Sequence, residues 1–295
     1  MTTATTAPRP PARPACAARV AWGRWAWLCL AGAGPWPLAG AQTPEDTPIE
    51  RSTPRSWDAA AGFVISHGPR YPGSASKATS LTPGLAVRWG RVSLASRSAF
   101  SVRGAETGSG GGLRVELARS ERLRAGLGLR LDSGRRESDS EELRGLGEVR
   151  RTLRLRLSVS YRLDDGWRLR SSTTADALGR GGGTLGEFQV SRELGLGPTL
   201  SVQGSLSLGW ADRRHLQSYF GITPEQAARS GYPVTPMSTG LRDVTVSAGW
   251  RRTLGPKWAV FGSASTARLI DEAAASPLVL ERDSWSMGLG LVYRF

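Results

Sequence analysis

The chain carries two histidines, His67 and His215, and either could in principle serve as a general base. A serine hydrolase of the outer-membrane phospholipase type needs a nucleophilic serine, that base, and a polar group to orient it, commonly asparagine. The sequence contains no asparagine. His67 precedes Gly68-Pro69, and His215 stands near Asp212 and Ser218 in no recognised spacing, so both read as solvated loop histidines. Paired aspartates with a histidine, as a protease would need, are not evident. Neither a His-x-x-His pair nor a glycine-spaced carboxylate cage is present, so no metal site is expected. The glycine clusters at 108–112 and 179–183 are not followed by Lys-Ser/Thr, and each reads as a flexible loop and not a phosphate cradle. Asp139, Glu141 and Glu142 give one loop an acidic tip, read as solvated charge. No catalytic residue and no cofactor is expected.

Charge is the next candidate for chemistry. The 295 residues have a formal net charge of +14, and every one of the 39 basic residues except Lys77 and Lys257 is arginine. Nucleic acid is not the expected partner, because the arginines are spread along the chain with no groove-reading or stacking module. What must position them is a set of strands. At 153–163, Leu153, Leu155, Leu157, Val159, Tyr161 and Leu163 alternate with Arg154, Arg156, Ser158, Ser160 and Arg162. The stretches 200–210 and 285–295 alternate in the same way. Period two gives each strand one apolar and one polar face.

About twelve such segments are predicted, starting near 57, 84, 91, 112, 122, 147, 166, 184, 198, 241, 257 and 283. Tight turns at Gly90, Ser120-Glu121, 164–166, 195–197 and 255–257 alternate with long connections at 67–82, 103–111, 132–146, 177–183, 211–240 and 271–282. A soluble β-sandwich also alternates. Short turns at one end, long loops at the other and an even strand number instead favour an antiparallel transmembrane β-barrel with short periplasmic turns and long extracellular loops.

The ends agree with that location. Residues 1–41 hold four arginines and no acid, then an apolar run from Trp25 to Leu38, then Ala39-Gly40-Ala41. This is the pattern of a cleavable signal peptide. Both cysteines, Cys16 and Cys29, lie within it, so the exported chain would have no thiol chemistry. Residues 42–56 read as a proline-rich periplasmic tail and 57–295 as the barrel. Trp89, Tyr161, Trp167 and Trp258 sit beside the tight turns and would form an interfacial girdle with Tyr293 and Phe295. Tyr293 and the terminal Phe295 resemble the signal read by the barrel assembly machinery.

With lipid outside, the polar faces point inward. On these registers Arg88, Arg97, Arg114, Arg124, Arg130, Arg154, Arg156, Arg168, Arg170, Arg251 and Arg294 are lumenal, joined by Glu116, Glu148, Asp243 and Asp283. Such a lumen must be hydrated or cross-linked by ion pairs, and an open one would favour anions.

Residues 217–231, QSYFGITPEQAARSG, followed by Leu241-Arg242-Asp243-Val244, closely resemble the signature of the MipA/OmpV family of outer-membrane proteins. Arg70-Tyr71-Pro72-Gly73-Ser74, Gly134–Ser138, Leu143–Gly147, Ser276-Pro277-Leu278-Val279 and Gly288–Phe295 are similar to further family motifs. The resemblance implies an outer-membrane barrel acting as a scaffold between a lytic transglycosylase and a murein synthase, with permeability or adhesion as alternatives. The signature also has its own local reading. Thr223 caps a short helix with Pro224 at its first position, Gln226 closes a capping box, Arg229 continues it and Gly231 ends it. Tyr219, Phe220 and Gly221 precede it as an apolar anchor, so this longest loop is predicted either to fold over the barrel mouth or to form a compact surface cap.

Overall fold

The computed structural model describes residues 57–96 and 112–295. Arg97, the glycine cluster before Gly112, the stretch 1–41 expected as a signal and the stretch 42–56 expected as a tail lie outside the described residues.

Twelve strands run β1 (Trp57–Pro69), β2 (Lys77–Trp89), β3 (Val92–Ala95), β4 (Gly112–Arg119), β5 (Leu123–Asp132), β6 (Thr152–Arg162), β7 (Trp167–Asp176), β8 (Thr184–Gly195), β9 (Leu200–Ala211), β10 (Gly240–Thr253), β11 (Trp258–Leu269) and β12 (Asp283–Arg294). Each pairs antiparallel with its sequence neighbours, and β1 pairs with β12 from Ala60↔Arg294 to His67↔Met287, which closes the cylinder. Closure leaves the ring without a terminal strand, so ladder hydrogen bonds run around the cylinder, with β3 covering only the Ala86–Trp89 end of β2 among the described residues.

The alternation in sequence becomes two faces. On β6, Leu155, Leu157 and Val159 are exposed on the outside, whereas Arg154, Ser158 and Ser160 are buried inside. Phe63, Leu81, Leu85, Phe188, Leu206, Val246 and Leu289 continue the exposed apolar belt around the ring. An apolar surface of this extent is stable against hydrocarbon and not against water.

Two strands begin away from their expected positions. β2 starts at Lys77 instead of 84, because the mixed stretch Lys77–Thr82 pairs with β1 from Pro69↔Lys77 onward. β6 starts at Thr152 instead of 147, because Val149 makes an isolated bridge to Arg135 inside the loop and not in the ladder. The tight β6–β7 turn places Asp165 and Gly166 at φ 55° and 77°, the left-handed pair that matches hairpin twist. Both ends of the barrel sheet, Trp57 and Arg294, lie at the short-turn end.

The long loops hold the helices: α1 (Arg213–Tyr219) and α2 (Pro224–Ser230) between β9 and β10, and α3 (Asp271–Ala274) between β11 and β12. Two single 3-10 turns, Glu137–Asp139 and Glu141–Leu143, lie between β5 and β6. No helix among the described residues is long and apolar enough to cross a membrane.

Candidate functional site

The pairing places Arg88, Arg114, Arg124, Arg130, Arg154, Arg156, Arg168, Arg170, Arg251 and Arg294 on the inner face, with Glu116 and Asp243. Glu148, by contrast, belongs to the β5–β6 loop, and Asp283 lies on the outer face in an exposed pair with Arg268. Within the lumen, Arg88 and Arg119 each stand 3.6 Å from Glu116, and Arg242 pairs with Asp243. Arg156 donates to Ser172 Oγ at 2.9 Å. The inner faces of β9 to β12 carry mainly small residues: serine, glycine, threonine and alanine. A small apolar cluster of Ala60, Ala86, Ala259 and Val292, with Phe261 against it, sits inside the short-turn end.

At the other end the loops are joined. Leu143 and Leu146 from the β5–β6 loop, Ile222 from the β9–β10 loop and Leu278 from the β11–β12 loop form one buried cluster, with Tyr71 of the β1–β2 loop, Ala227 and Tyr232 packed against it. In a ring of twelve strands the β5–β6 and β11–β12 loops stand on opposite sides. A continuous core that joins them crosses the mouth. Hydrogen bonds follow the same route: Tyr71 Oη donates to Leu278 O at 3.2 Å, Ser276 Oγ to Phe220 O at 2.6 Å, and Arg135 Nη1 to Tyr219 O at 3.1 Å. Burial pushes the Tyr71 hydroxyl up to about 12. The segments 70–74, 143–147, 217–231 and 276–279, quoted above for their resemblance, thus meet in space.

The signature loop is built as its residues specify. Thr223 and Gln226 form the reciprocal capping box, Pro224 is the first helical residue, and Gly231 ends α2 at φ 78°. Arg229 Nε donates to Gly145 O at 3.2 Å, and Gln226 Nε2 donates to Leu146 O, so these two side chains of the helix reach the β5–β6 loop. Tyr219 and Phe220 point the other way, into a second cluster with Ala211, Leu216, Met237, Leu269 and Ala273. Gly221 packs against the Gln217 side chain. The loop lies over the mouth and not away from the barrel.

Helix α1 was not legible in the sequence. Asp212 caps it by accepting from His215 N at 2.7 Å, and Leu216 is buried beneath it. His215 is not solvated: it is 6% exposed, stacks on Tyr219 at 4.5 Å between centroids, and bonds through Nδ1 to Gly182 O at 2.9 Å. The glycine cluster at 179–183 packs against the start of the same helix. Gly183 sits at φ 59°, and a Cβ there would collide with His215 N and the Asp212 carboxylate, so only glycine fits. Asp139, Glu141 and Glu142 line an open cleft at the rim with Arg70 and Arg144.

Burial, helped by the positive charges of Arg242 and Arg154 and opposed by the Gly182 carbonyl and the Asp212 carboxylate, holds His215 at about 4. This lies below the unfolded value of about 6.5, so the folded lid favours the neutral ring. Its contribution is complete above the unfolded value and is lost as pH falls toward the folded one, roughly 3 kcal/mol in all. Hydrogen-exchange protection of residues 213–231 is therefore expected to fall between pH 7 and pH 4.5, with the fall abolished in His215→Gln. Equal protection in the native protein at both pH values would contradict this.

At the short-turn end Trp57, Trp89, Tyr161, Trp167, Trp258 and Phe295 are exposed. Trp258, Tyr293 and Phe295 stack edge-on at 4.9 and 5.0 Å, and Lys257 lies 5.5 Å from the Tyr293 ring. Such amphipathic rings belong at the boundary of lipid and water. His67, on the outer face near the opposite rim, bonds Thr79 Oγ1 at 2.9 Å and lies 5.3 Å from Trp285.

Among proteins of known sequence, the chain is 25% identical over 128 residues to the outer membrane protein YiaT of Escherichia coli K12, covering 43% of this chain and 51% of that one. It is 29% identical over 97 residues to the MltA-interacting protein of the same organism, covering 32% and 38%. The matches thus span about half or less of the length of these relatives. Among solved structures it is similar to an anion-selective porin from Comamonas acidovorans, at 10% identity and a TM-score of 0.37, covering 81% of this chain and 98% of the other. OmpT of Vibrio cholerae gives 6% identity and a TM-score of 0.38 over 81% and 97%. The family described as MltA-interacting protein MipA matches residues 61–295, nearly the whole barrel. With a closed cylinder, an apolar belt and that match together, the chain belongs to the MipA family of outer-membrane β-barrels.

Proposed function

We propose that this barrel is a non-enzymatic interaction protein, which holds a lytic transglycosylase and a murein synthase at its periplasmic end. The observation that carries this reading is the core of Leu143, Leu146, Ile222 and Leu278 across the outer mouth. It commits the long loops to one another, which disfavours a simple porin and leaves the short-turn end as the working face. The class of partner follows from the family description and from the printed name of the relative. On this reading residues 1–41 are the export signal, Tyr293 and Phe295 are the assembly signal, and residues 42–56 extend the periplasmic surface. That extension matters, because short turns alone offer little of the ~800 Å² per partner that a stable interface buries.

The mature protein in detergent is expected to retain a purified lytic transglycosylase on a column, and removal of residues 42–56 is expected to reduce retention severalfold. Failure of the intact protein to retain the enzyme at about 0.15 M salt, where only weak long-range attraction is screened, would overturn the scaffold reading.

A further inference from the structure

We propose that the long-loop rim above β6 to β9 binds the phosphate groups of a glycolipid in the outer leaflet of the membrane. Five arginines from three segments form the site. Arg150 and Arg151 close the β5–β6 loop, Arg180 lies in the β7–β8 loop, and Arg213 and Arg214 open α1. All five are exposed, and none forms an ion pair among the described residues. Other exposed arginines of the rim are already matched: Arg136 with Asp139, Arg144 with Glu141 and Arg268 with Asp283.

Hydrogen bonds gather the three segments into one sector of the ring. Arg180 Nη1 donates to Arg151 O at 3.0 Å, which ties the β7–β8 loop to the end of the β5–β6 loop. On its other flank, Gly182 O lies 2.9 Å from His215 Nδ1, and Asp212 N donates to Thr184 O at 2.8 Å. The carboxylates of this sector are engaged within the protein. Asp176 accepts from Thr152 Oγ1 and from Gly182 N, and Asp212 accepts from His215 N. Glu148 is left as the exposed acid beside five exposed cations.

The depth of the sector fits a lipid headgroup. Trp210 is on the outer face of β9, 38% exposed, with its indole over Gly186 of β8. An indole in that position marks the level where hydrocarbon gives way to headgroups. Arg213 follows it by three residues, and Arg151 stands two residues beyond the outward Leu153 of β6. Leu178, 51% exposed, lies two residues before Arg180. Basic clusters just outside an apolar span recognise anionic headgroups, and planar guanidinium forks match phosphate oxygens. The outer leaflet of this membrane is built of glycolipid with phosphates on its sugars, so chemistry and side agree. The inference needs the barrel in its membrane and no murein enzyme as partner.

The full chain, refolded in a non-ionic detergent, is titrated with diphosphorylated lipid A, and bound lipid is counted by native mass spectrometry. A chelator is present, so that no divalent cation bridges phosphate to the acids of the rim. Lipid A stripped of its phosphates, and phosphatidylglycerol, should each bind about tenfold more weakly or worse. Replacing Arg151, Arg213 and Arg214 together by glutamine should weaken the diphosphorylated lipid on the order of a hundredfold, at about fivefold per arginine. None of these three side chains donates a hydrogen bond among the described residues, so the β-sheet spectrum should not change. Removing the same charge at Arg136, Arg144 and Arg268 should leave the affinity as it was. Pyrophosphate in excess should displace little lipid; displacement matching that by added lipid would mark a site for free phosphate and overturn the lipid assignment. Equal binding of the dephosphorylated lipid or of phosphatidylglycerol, or equal affinities of the two triple variants, would overturn the proposal.

Discussion

Excision of residues 213–238 is expected to turn an electrically silent barrel into a conducting one. Planar-bilayer recordings of the intact protein should show insertion without steady current, because the core of Leu143, Leu146, Ile222 and Leu278 joins opposite sides of the mouth. The excised loop supplies Ile222, Phe220, Ala227 and Tyr232 to the two clusters, so without it neither is continuous. The ends of the excision are already neighbours, since Ala211 and Gly240 are paired. A hairpin linker of about two to four residues can therefore join them without strain on β9 and β10. Every ladder of the barrel survives, and the shortened protein should still fold and insert. Its current should favour anions, because arginine exceeds carboxylate on the inner face. Steady current from the intact protein at the level of the shortened one would mean that the roof does not close the mouth. Cation selectivity would contradict the sign assigned to the lumen.

The barrel was legible in the sequence because each strand faces two different media. Leu153 to Leu163 alternate with arginine and serine along almost the whole of β6, and no tertiary contact is needed to read that pattern. Strand ends were less legible. At 77–82 only Leu81 is a large apolar residue, so pairing with β1 is what makes the stretch strand, not a repeated pattern of its own. The cap of α2 was readable, because Thr223, Pro224, Gln226 and Gly231 act locally. The roof as a whole was not. Leu143, Leu146 and Leu278 look like isolated apolar residues in polar loops, and only closure of the ring brings them together. His215 misleads for the same reason. Its burial comes from Tyr219 one turn along α1 and from Gly182 of a different loop, neither of which a one-dimensional spacing shows. Asp283, grouped by the sequence with the lumenal row, instead pairs with Arg268 on the outer face.

The second large effect is expected at Arg154, the residue on which wall and roof both depend. It is 1% exposed, and its guanidinium reaches three places. Nε donates to Asp132 at 2.5 Å on the neighbouring strand, Nη1 to Gly182 O at 3.0 Å in the β7–β8 loop, and Nη2 to the Tyr219 hydroxyl at 3.5 Å in α1. Arg154→Met removes the fork while keeping much of the volume. It strands the Asp132 carboxylate, 18% exposed, with its backbone partner Gly134 N and the more distant charge of Arg130. Loss of one partner from a buried pair costs about 3–5 kcal/mol, more than replacing both. The single variant should therefore unfold at distinctly lower urea concentration, followed by the tryptophan fluorescence of the refolded barrel. Adding Asp132→Asn, which removes the orphaned charge, should recover most of that loss. Arg154→Lys should recover little, because an ammonium cannot serve three acceptors in one plane. The roof gives an independent readout: α1 loses its tie at Tyr219, so protease cleavage after Arg213 and Arg214 should accelerate in Arg154→Met well below the unfolding transition. If the double variant were no more stable than the single one, the cost would lie in packing at position 154 and not in the buried charge.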